Sequence, residues 1–77
     1  MSKEELENIR NEIKSYIAKS GKTLKYIVDE LNKSRSDEQK TTPQNISNKL
    51  TRGTLRYGEA KEIANIIGCE IKWIEKE

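Results

Sequence analysis

The chain has 77 residues, 15 of them basic and 13 acidic, with no histidine, no phenylalanine and a single cysteine. One domain of this size buries only ~60% of its unfolded surface and has no room for a large catalytic cleft. Cys69 has no partner for an internal disulfide, and without histidine a zinc site lacks ligands, so neither metal nor cofactor is expected. There is no histidine base, no G-x-S-x-G and no phosphate-binding loop, and the acid pairs Glu4/Glu5 and Asp29/Glu30 fall on helix surfaces; an enzyme is not expected. The start MSKEELENIR lacks the apolar core of a secretion signal, and no run approaches the ~20 apolar residues of a membrane span. The expected compartment is the cytosol, with no membrane partner. Only 32% of residues are hydrophobic, but they recur at helical spacing, which a disordered chain does not need.

Ser2 and Glu5 form the capping-box pattern, in which hydroxyl and carboxylate satisfy backbone donors, and they open a helix over residues 3–19. Leu6, Ile9, Ile13, Tyr16 and Ile17 give it one apolar stripe, and Gly21 can stop it. Thr23 caps a second helix, where Leu24, Ile27, Val28 and Leu31 recur at i, i+3, i+4 and i+7 and which ends near Asn32. Residues 33–40, KSRSDEQK, carry no apolar anchor and read as an exposed loop.

A third helix starts at Thr42 as cap and Pro43 as first residue, where the missing N–H would be unpaired anyway, and Gly53 ends it. Ile46 and Leu50 lie ~40° apart on the helical wheel and face inward. Gln44, Asn48, Thr51 and Arg52 then centre on the outward side, flanked by Asn45 and Lys49. Ala60, Ile63, Ala64 and Ile67 mark a fourth helix over 59–67, stopped by Gly68. The tail CEIKWIEKE alternates as a strand does until Ile74 breaks the pattern, so a short strand or a short helix is expected. The fold class is therefore all-α, with four to five short helices in one domain spanning 1–77.

Charge is segregated along this chain. Residues 40–57 hold Lys40, Lys49, Arg52 and Arg56 and no acid, a local +4, which leaves 11 basic and 13 acidic residues elsewhere. A basic patch of this kind, rather than a high total charge, is the footprint of nucleic-acid binding. Amides carry a donor and an acceptor together and match adenine N6 and N7, while arginine matches guanine O6 and N7.

The stretch TTPQNISNKLTRGTLRYGEAKEIANIIG resembles the recognition helix, following loop and next helix of phage-repressor-like (lambda-repressor-like, xenobiotic-response-element) helix-turn-helix regulators. The shared features are Thr-Pro-Gln, a Ser-Asn-Lys-Leu run and an Arg-Gly stop. The resemblance is strongest over 41–68 and puts the helix-turn-helix unit at about 23–53. Val28 stands where that family has a small residue. Residues 33–40 lengthen a connection the family keeps short, at a closure cost on the order of 1 kcal/mol.

The resemblance implies that the third helix enters the major groove of double-stranded DNA. Gln44, Asn45 and Asn48 are the candidates for base edges. Thr42, Lys49, Arg52, Arg56 and Tyr57 suit phosphates, as do Lys22 and Lys25 at the start of a helix that crosses the backbone. Loop residues Lys33, Arg35 and Lys40 could reach DNA or a partner protein, with neither preferred. Trp73 is expected in the core beneath the fourth helix. The alternative is that the tail over 69–77, through Ile71, Trp73 and Ile74, pairs with its copy in a homodimer. Cys69 reads as a small core residue. The expectation is a sequence-specific repressor of phage or mobile-element type that acts by occupying its operator. The rival is a helix-turn-helix scaffold that binds protein as an accessory or inhibitor.

Overall fold

A computed structural model describes residues 2–76. Its elements are α1 (Lys3–Ser20), α2 (Leu24–Asn32), a single 3-10 turn (Asp37–Gln39), α3 (Pro43–Arg52) and α4 (Tyr57–Ile66). The described residues contain no strand, and no helix among them is long and apolar enough to cross a membrane.

Each boundary has a local cause. The Ser2 hydroxyl accepts the Glu5 N–H and donates to the Glu5 carboxylate, both at 3.1 Å. Thr23 and Thr42 accept the N–H groups of Tyr26 and Asn45 in the same way. Side-chain caps of this type contribute about 1 kcal/mol each. Gly21 and Gly53 follow α1 and α3 in the left-handed conformation. At Gly53 the requirement is double, since a Cβ there would run into the Leu6 side chain of α1.

The core is the junction of three helices. Ile27, Val28 and Leu31 of α2, Ile46 and Leu50 of α3 and Ile63 of α4 are buried together, framed by Ile13, Ile17, Leu24, Leu55, Ile66 and Ile67. Thus α2 packs on both α3 and α4, while α1 lies against α3. Val28 takes its place in this core as a fully packed side chain.

Residues 33–40 form the exposed loop expected, apart from one 3-10 turn and the half-buried Arg35, while two expectations on later segments are corrected. The base of the loop is closed by Asn32, whose Nδ2 donates to the Thr41 carbonyl at 3.0 Å and whose Oδ1 accepts from the Thr41 N–H at 2.9 Å. The half-buried Arg35 then ties the segment to α4. Helix α4 begins two residues earlier than position 59, at Tyr57, with Arg56 as a cap residue in extended conformation whose side chain makes no capping hydrogen bond. The tail after Gly68 is neither strand nor helix, and Trp73 is 87% exposed rather than in the core. Its indole Nε1 donates to the exposed Tyr57 hydroxyl instead.

Candidate functional site

The outward face of α3 is positioned from below. Ile46 and Leu50 are 0% and 4% exposed, so their burial fixes the rotation of the helix and turns the intervening residues to the surface. Thr42, Gln44, Asn45, Thr51 and Arg52 are exposed, and Asn48 and Lys49 are half-buried at its edge. Gln44 Nε2 donates to Asn48 Oδ1 at 3.0 Å. That bond holds two amides one turn apart while leaving an acceptor on Gln44 and donors on both, a set complementary to a purine edge.

Glu59 is the site residue that sequence reasoning missed. The stretch without acids ends one residue before it, and folding returns it to α3, where both carboxylate oxygens accept from Lys49 Nζ at 3.1 and 3.0 Å. Arg35 approaches the same carboxylate at 3.7 Å and reaches Glu62 at 3.6 Å. Burial pushes the Glu59 carboxyl up, but the Lys49 hydrogen bond and charge, the Arg56 N–H and the Arg35 charge together hold it below the ordinary value of 4.5. The basic face is thus neutralised at one corner by an acid that is almost fully covered. Arg56, three residues before it, is not a capping-box residue, so no capping motif marks Glu59 in the sequence. No pattern in the sequence marks Arg35.

The remaining cations divide into engaged and unengaged. Lys33 pairs with Glu30 at 2.8 Å and Lys40 with Asp37 at 3.0 Å, so all three basic residues of the segment after α2 have acidic partners. Lys25 pairs with Asp29 at 3.1 Å, and Lys22 sits over the Tyr26 ring. Arg52 and Arg56 make no ion pair among the described residues, and both are exposed beside Tyr57 at the α3–α4 junction. The Tyr57 hydroxyl accepts from Trp73 Nε1 at 2.9 Å, the two rings lying 6.0 Å apart, and Lys61 stands over the Tyr57 ring. Accepting that bond leaves the Tyr57 proton available to an outside acceptor.

The sequence-derived candidates therefore gather on the α3 face and at its C-terminal end, except for Lys22 and Lys25 at the start of α2 and for Ile71, Trp73 and Ile74 in the tail. Comparison with known proteins gave no match to a family model, to a curated protein or to a solved structure.

Proposed function

We propose that the chain is a sequence-specific double-stranded DNA-binding protein of helix-turn-helix type, acting as a small repressor that occupies its operator. The observation that carries this reading is the outward face of α3: bonded amides Gln44 and Asn48, exposed Asn45, Thr51 and Arg52, and a buried Ile46 and Leu50 that prevent the face from turning inward. No carboxylate stands on α3, and the one brought to its edge is occupied by Lys49. A mimic or inhibitor of nucleic-acid binding would need acids on this surface.

On this reading Gln44, Asn45 and Asn48 read base edges in the major groove. Arg52, Arg56, Tyr57 and the Thr42 end of the helix hold phosphates, and Lys22 and Lys25 touch the backbone from α2. Phosphate contacts supply most of the affinity and make it fall steeply with salt, whereas the amides supply discrimination. Selection of bound duplexes from a random pool tests the reading directly. With the selected duplex in hand, Arg52→Ala weakens binding to every sequence and lowers the salt slope by about one. Asn48→Ala instead narrows the gap between cognate and random duplex by roughly 1 to 3 kcal/mol. Absence of any enriched sequence, together with equal losses in both variants, would overturn the proposal.

A further inference from the structure

Trp73 is the one tryptophan of the chain, and it is 87% exposed. Indole rings are highly buried on average, because covering one is among the largest hydrophobic gains that a side chain offers. This one is in water and yet held. Its Nε1 donates to the Tyr57 hydroxyl at 2.9 Å, and the two rings lie 6.0 Å apart, tilted 50° to each other. The indole is therefore tethered by its edge rather than stacked on the phenol, and its faces stay largely bare.

The surroundings are basic. Arg52 and Arg56 stand at the α3–α4 junction, Lys61 lies over the Tyr57 ring, and none of the three makes an ion pair among the described residues. The charges of the tail itself cancel, Lys72 and Lys76 against Glu70 and Glu75. A cationic partner is repelled here. A bare, fixed aromatic face set among cations suits a polyanion whose charges alternate with flat π-surfaces, which is an unpaired nucleic-acid strand. A duplex offers the phosphates but keeps its bases stacked on one another.

We propose that Trp73, oriented by Tyr57 and flanked by Arg52, Arg56 and Lys61, is a stacking site for an unpaired nucleobase, so that the junction of α3, α4 and the tail binds single-stranded nucleic acid. Neither Gln44 nor Asn48 takes part, and the site stands apart from duplex reading by the α3 face. A lipid surface fits less well. An interfacial helix presents a continuous apolar face, whereas α4 on this side shows Tyr57, Lys61 and Asn65 at successive steps of four.

With no second tryptophan in the chain, indole emission reads this site alone. Strands of about ten thymidine or uridine nucleotides, inside the ~4–16 that such sites cover, quench it saturably at low salt. The affinity falls as salt rises, and the tighter of the two strands tells which sugar the site prefers. By anisotropy of a labelled strand, Trp73→Ala binds about five- to a hundredfold less tightly, the worth of one stacked base. Tyr57→Phe binds roughly two- to tenfold less tightly, through loss of the hydrogen bond that orients the indole. Both variants keep the helical circular dichroism, because both side chains are exposed. Strands that leave the emission unquenched, or that bind Trp73→Ala as tightly as the parent chain, would refute the stacking site without touching the duplex reading. Equal quenching by a duplex of the same length would refute it too. Quenching by mixed phosphatidylserine and phosphatidylcholine vesicles in place of the strands would assign the indole to a membrane and end the proposal.

Discussion

Helices α1 and α3 are both amphipathic, yet they finish in opposite circumstances. The apolar side of α3 consists of only Ile46 and Leu50, and both are sealed against α2 and its neighbours. The apolar side of α1 is longer by three residues and is nowhere fully covered. Periodicity thus reports that a helix has a face to cover, and it is silent on whether the same chain covers it. The shorter stripe is the one that fixes an orientation, because only a buried anchor resists rotation of the helix about its axis.

The largest effect that separates the two helices is a cavity. Ile46→Ala costs about 2–5 kcal/mol, a large part of the stability of so small a domain. Ile9→Ala costs under about 1 kcal/mol, because its side chain is already partly hydrated. Urea unfolding of the two variants at low concentration checks this, and equal losses would erase the distinction.

Next in size is the contact between the helices. Gly53→Ala forces a left-handed alanine against Leu6 and destabilises by about 2 kcal/mol. Adding Leu6→Ala removes the collision but not the backbone strain, so a double-mutant cycle returns part of the loss. Full additivity would mean that α1 does not seat on the end of α3.

The smallest effect concerns the corner where α3 meets α4. Glu59→Gln costs about 1 kcal/mol at neutral pH, a modest figure because Lys49 is partly exposed and screened by solvent. The sign of the pH dependence follows from the lowered Glu59 pKa. Its ionised form contributes stability above the ordinary value of 4.5, and that contribution is lost as pH falls through the lower folded value. The substitution therefore flattens the acid side of the stability profile. On the DNA-binding reading it also releases Lys49 and raises the salt slope by about one, measured on random duplex.

What could be read from the sequence was whatever is determined within a few residues. The bounds of α2 and α3 follow from Thr23, Thr42, Pro43 and Gly53, whose caps act over a single turn, and the structure has them where the sequence placed them. The outward placement of Gln44 and Asn45 follows from two buried anchors in the same helix. What could not be read was set by contacts between distant segments. Arg35 meets Glu59 across 24 positions, and Trp73 meets Tyr57 across 16. Alternation in the tail suggested a strand, but alternation specifies a strand only when another strand is available to pair with it, and the described residues offer none.

The clasp between Asn32 and Thr41 bears on how this protein can change. Because two hydrogen bonds pin the base of the connection, the stretch beyond them can grow or shrink without moving the helices on either side. Each doubling of its length adds only about 0.6 kcal/mol of closure entropy. That makes the tip near Asp37 a tolerant place for grafting a tag or a foreign peptide, and a place where lineages can diverge in length while the amide-bearing surface stays in register.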